Sequence, residues 1–133
     1  MQAVPARFFR TLNQGSLIET CDNSGAKLLK ITSIKGSKTV KGRKPAAVIS
    51  DLVTASVKKG TPEMRKQVVF AVIVRQKKEF RRLSGEHIKF EDNAAVVVKD
   101  EAGNPKGTLI KGPVAKEVCL RWPPIAKISS VIV

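Results

Sequence analysis

The side chains of this 133-residue chain that could support nucleophilic or metal chemistry are few: His87, the single histidine, and two cysteines, Cys21 and Cys119. A cysteine–histidine nucleophile would need one thiol beside His87, and one imidazole is too few for a histidine-based metal cluster. His87 follows Gly85-Glu86 in a turn, where an exposed imidazole with no orienting partner is expected. The carboxylates form no paired motif, and Glu91-Asp92 reads as a surface turn. Gly107 to Gly112 lacks the glycine-lysine-hydroxyl ending that cradles a nucleotide. No catalytic residue, metal or cofactor is expected. Cys119 sits between Val118 and Leu120, Cys21 ends an alternating stretch, and both thiols are expected to be buried and reduced.

The cations carry the signal. There are 25 Lys and Arg against 11 Asp and Glu, a formal charge of +14. Lys27 to Lys44 holds seven basic residues and no acidic one, and Lys58 to Arg82 holds nine against two. These two segments contribute +7 each and account for the whole excess. Concentrated like charge opposes compaction, so it points to a polyanion, with nucleic acid first and an anionic membrane surface second. Lys and Arg would neutralise phosphates and release counterions, and Arg adds a bidentate fork. The expected contacts are Lys38, Lys41, Arg43, Lys44, Lys58, Lys59, Arg65, Lys66, Arg75, Lys77, Lys78, Arg81 and Arg82. Aromatic residues are sparse, one Trp and five Phe. Phe70 and Phe90 fall at strand positions expected to be core, and Phe80 either stacks on a base or packs inside. Recognition by phosphate, sugar and shape is therefore expected over base reading.

What must hold those cations is an aliphatic β fold. An apolar share of 42 % is enough for one domain across residues 1–133, and Tyr is absent. Residues 1–14 read as an arm. Leu17 to Cys21 alternates as a strand, Asp22-Asn23-Ser24-Gly25 closes a turn, and Ala26 to Ile34 returns with Leu29, Ile31 and Ser33 on one face. Residues 35–45 are cationic and apolar-poor, a projecting ribbon or loop. Leu52 to Val57 is a strand, and Lys58-Lys59-Gly60 opens a second cationic loop. Val68 to Arg75 is a β-branched run expected to be buried on both faces. Strands at Glu79 to Leu83, Ile88 to Phe90, Ala94 to Lys99 and Thr108 to Ile110 follow. Gly112-Pro113 is expected to open a helix reaching Arg121, because Pro suits a first helical turn. Pro123-Pro124 ends it, and a second helical turn follows near Ile125 to Ile128, giving short helices within 113–128. Short strands with helix only at the end predict a mainly β, small closed barrel. The N-terminus lacks a signal-peptide apolar run, and Val68 to Val74 is too short to span a bilayer, so a cytosolic protein is expected.

Specific residues add a resemblance. Ala71-Val72-Ile73-Val74, a nine-residue cationic spacer, Ser84-Gly85, Phe90, Asn93 and Val96-Val97 resemble the signature of the universal L14 family of ribosomal proteins. Cys21 to Ala26, Lys106-Gly107 and Gly112 to Glu117 are similar to its early turn and C-terminal stretch, so the likeness runs from about Leu17 onward. Lys58 to Lys66 and Phe90 to Asn93 resemble the archaeal and eukaryotic branch, and the short N-terminus favours the archaeal. The resemblance implies a five-stranded barrel with a projecting ribbon and small C-terminal helices. It also implies a structural, non-enzymatic role in the cytoplasmic ribosome, binding large-subunit rRNA and taking part in a bridge to small-subunit rRNA. Implied neighbours are an L3-type and an L24e-type or L19-type protein, with neither DNA nor a membrane as partner. The C-terminal region, here Val114, Lys116, Glu117, Trp122 and Ile125, is implied as a protein interface where anti-association factors dock. Pro124 departs from the family pattern, replacing a basic residue. Three other readings stand beside this one: a free RNA chaperone or regulator, a membrane-surface protein, and an enzyme. Co-sedimentation with subunits, liposome binding, and His87→Ala with Cys21→Ser discriminate them.

Overall fold

The computed structural model describes residues 2–133. In chain order the elements are β1 (Ala6–Arg7), β2 (Leu12–Asn13), β3 (Leu17–Thr20), β4 (Ala26–Ile34), β5 (Ala46–Ala47), β6 (Leu52–Gly60) and β7 (Val68–Arg75). They continue as β8 (Phe80–Arg82), β9 (His87–Ile88), β10 (Ala94–Val98), β11 (Ile110–Val114), α1 (Lys116–Arg121), α2 (Pro123–Ile128) and β12 (Ser129–Ile132). Five strands close a barrel in the order β10-β3-β4-β6-β7, bearing out the mainly β barrel expectation. Every pairing in it is antiparallel except the β3–β10 seam.

That seam is short, and side chains extend it. Ala94 and Ala95 register with Glu19 and Thr20. Beyond β3, Cys21 N–H donates to Ala95 O at 3.1 Å and the Asp22 carboxylate accepts from Val97 N–H at 2.9 Å. The turn thus continues the ladder after the strand has ended, and β10's backbone donor is not stranded in the interior.

Alternation places the core. Ile18, Leu29, Ile31, Val53, Ala55 and Val57 are buried while Lys27, Lys30 and Lys58 point outward. Ser33 departs from the expected face. The pairing shifts between Ile31 and Ser33, which turns Ser33 out and brings Ile34 in. On β7 the residues from Ala71 are buried, whereas Val68 is exposed and Val69 and Phe70 are half-buried. Only the second half of that strand is therefore covered on both faces. Its cover is the C-terminal segment: Ala115 N–H reaches Val74 O, and the Trp122 indole donates to Ser50 O at 2.8 Å.

Three expectations are corrected at the ends of elements. Val114 and Pro113 belong to β11, which pairs in parallel with β12, so helix α1 begins only at Lys116. The proline-first turn occurs instead at Pro123, which opens α2 rather than merely ending α1. Lys58 and Lys59 lie on the end of β6, not in a loop. Residues 37–45 carry no strand, so the projecting device is a loop, not a paired ribbon. The N-terminal arm lies on the chain itself: β1 pairs with β8, β2 with β5, and Phe8 packs against Phe80 with ring centroids 5.0 Å apart.

Candidate nucleic-acid interface

Eleven of the thirteen expected phosphate contacts are exposed: Lys38, Lys41, Arg43, Lys44, Lys58, Lys59, Arg65, Lys66, Lys77, Lys78 and Arg81. None of the ion pairs found among the described residues involves them. They project from three places on the barrel.

The first is the loop after β4. Lys41 and Gly42 both have left-handed backbone, with φ of 60° and 73°, which reverses the chain at the tip. Lys38, Arg43 and Lys44 face Arg10, Lys35 and Arg121 across an open basin of about 650 Å³. Asp51 lies beneath, 3.5 Å from both Arg10 and Arg121. Burial raises the Asp51 pKa, while the Val48 N–H and these two guanidiniums oppose that shift. Lys35 pairs with Glu101.

The second is the end of β6 and the turn after it. Met64 is buried beneath that turn, and Lys66 has φ of 64°. The turn packs closely on the Asp22–Gly25 turn, where a Cβ on Gly60 would fall 2.5 Å from Gly25 O. Lys58, Lys59, Arg65 and Lys66 are therefore presented by a braced backbone.

The third is the β7–β8 connection, where the same residue type meets two fates. Arg75 is buried: its guanidinium grips Asp92 bidentately at 2.8 and 3.0 Å and donates to Lys111 O and Pro113 O. Arg82 grips Glu117 at 2.7 and 3.3 Å and also reaches Val133 O. The structure turns both of these expected RNA contacts inward, with most of their donors engaged inside the fold. Between them Lys77, Lys78 and Arg81 face solvent while Phe80 is inside, which decides its open alternative in favour of the core. Gln76 was not singled out in the sequence, yet it fixes this connection. Fully buried, it accepts from Ile49 N–H at 3.2 Å and donates to Lys78 O at 2.9 Å, while Asn93 accepts from Lys77 N–H. A glutamine among cations offers no sequence signal of burial.

The C-terminal candidates divide similarly. Val114, Trp122 and Ile125 are core residues and Glu117 is buried with Arg82, so of the five only Lys116 is exposed. The surface there belongs to Leu120, Val131, Ile132 and Val133, which the sequence reading did not name.

Chemistry of the enzymatic kind finds no assembly. His87 Nδ1 meets Glu79 on the exposed β8–β9 hairpin. Burial pushes the Cys21 thiol up to about 12 and also raises that of Cys119, so both are poor nucleophiles at neutral pH. Cys119 is only half-buried, against the expectation of full burial. Among the described residues no group of three or more His, Cys, Asp or Glu could hold a metal ion. No helix there is long and apolar enough to cross a membrane.

Fold and surface together define a small cationic β-barrel whose exposed charges are held apart from its internal ion pairs. Residues 11–133 match the family model described as ribosomal protein L14p/L23e, and the chain belongs to that family. It is 54% identical to the large ribosomal subunit protein uL14 of Methanothrix thermoacetophila, and 52% and 50% identical to those of Picrophilus torridus and Nanoarchaeum equitans. Each match spans 133 residues, all of both chains. The resemblance drawn from the signature residues is borne out, and these relatives fit its archaeal and eukaryotic type. The chain is accordingly a structural constituent of the large ribosomal subunit, in the cytoplasmic ribosome, and not an enzyme.

Proposed function

We propose that this chain binds large-subunit rRNA directly, through Lys38, Lys41, Arg43 and Lys44 of the loop, Lys58, Lys59, Arg65 and Lys66 beyond the barrel, and Lys77, Lys78 and Arg81 of the hairpin. One observation carries the reading: these cations are exposed and take no part in the ion pairs found among the described residues, while Arg75 and Arg82 of the second basic segment are locked to Asp92 and Glu117. A merely solvated charged surface would mix its signs. The rigid core fixes the backbone beneath β6 and β7, so binding there orders side chains only; the loop orders its backbone as well. The C-terminal face, with Lys116, Leu120 and the β12 residues, takes the protein-facing role. There the chain meets neighbours of the L3 and L24e or L19 types, joins a bridge to small-subunit rRNA and receives an anti-association factor.

Crosslinking of intact large subunits tests this. Peptides carrying Arg43 and Arg81 are expected to yield rRNA adducts, and the peptide carrying Leu120 a protein adduct. Absence of rRNA adducts from both basic peptides would overturn the reading.

A further inference from the structure

The N-terminal arm carries one aromatic ring that its own fold does not use. Pairing of Ala6 and Arg7 with Arg82 and Arg81 fixes the arm along β8. Phe8 turns inward onto Phe80, and Phe9 is thrown outward, 66 % exposed, although Lys78 Nζ stands 5.4 Å from its ring centroid. The other four phenylalanines are buried or half-buried. Beside Phe9 lies a cavity of about 290 Å³ whose rim holds Arg7, Lys78 and Arg81, with the Glu79–His87 pair at one side. That volume is at the small end of ligand sites, about 300 Å³ and upward, and suits one ring system rather than a segment of chain.

We infer that this cavity seats a single unpaired nucleotide of the rRNA, its base stacked on Phe9 and its flanking phosphates on Arg7 and Arg81. The inference deepens the rRNA-binding reading and rests on it. An exposed ring edged by three cations matches a ligand that combines a π-face with phosphates. A protein side chain would match the ring but leave most of the positive rim unanswered. The site adds base contact to a footprint otherwise built on phosphate and shape.

The test uses the full chain and protein-free large-subunit rRNA, titrated at several salt concentrations with Phe9→Ala, Phe9→Trp and Phe9→Leu. Stacking predicts about tenfold weaker binding for Phe9→Ala, the scale of one base on one ring. The salt slope should stay unchanged. Phe9→Trp should bind as the parent does, and Phe9→Leu should resemble Phe9→Ala. Alanine binding within twofold of the parent, or leucine equal to tryptophan, would overturn the nucleotide site while the parent's own steep salt dependence left rRNA binding standing. A parent chain that failed to bind would remove both. Should Phe9→Ala fail to fold, the tryptophan–leucine comparison decides alone.

Discussion

Arg75 and Arg81 stand six residues apart in one cationic run, yet their guanidiniums do opposite work. Arg75 has four donor contacts inside the fold, two to Asp92 and two to carbonyls of β11. Arg75→Ala leaves Asp92 and those carbonyls without their donor, so a loss of about 3 kcal/mol is expected in urea unfolding. That is the low end for a broken buried pair, because Asp92 keeps some solvent. Arg75→Lys should recover little, since an ammonium cannot supply the planar fork. Asp22 provides a second expectation, in pH. Burial raises its folded pKa above the ordinary 3.8, against the hydrogen bonds from Ser24 and Val97. The folded chain thus holds this proton more tightly than the unfolded chain does, and that contribution to stability is lost as pH rises through the raised value. Asp22→Asn removes the titration. Relative to the parent it should gain stability between pH 4 and pH 7, and a relative loss over that span would refute the assignment.

At the scale of elements, β11 depends on a glycine. Gly112 has φ of +79°, and a Cβ there would sit 2.8 Å from Arg75 Nη1, which two carbonyls hold in place. Gly112→Ala should therefore cost about 1–3 kcal/mol, read by thermal unfolding. The thiols report on elements too: an alkylating reagent should modify half-buried Cys119 of α1 before Cys21 behind the barrel seam, and equal rates would contradict the packing. The barrel strands were legible in the chain because β-branched alternation is a local pattern. Their ends were less so. Val114 and Pro113 looked helical by spacing and by proline, but β12, fifteen or more residues further on, claims them as a parallel partner. The fate of Arg75 and Arg82 hinges on Asp92 and Glu117, and that of Phe9 on the pairing of β1 with β8. Such choices are made by tertiary contact, which no window of sequence contains.

For the whole molecule, a closed aliphatic barrel divides the cations into those that hold the fold and those that face outward. The charge that looked like one footprint in the sequence is two populations in space, and only the outward one should register in binding to a polyanion. The salt dependence of affinity for protein-free large-subunit rRNA counts that population directly, since each neutralised phosphate contributes roughly 0.7–0.9 to the slope of log K against log salt. The measurement that decides the account compares the parent chain with a variant carrying alanine at Lys38, Lys41, Arg43 and Lys44. The slope is expected to flatten by about 3 while the unfolding midpoint stays near the parent's. An unchanged slope in a folded variant would contradict the account.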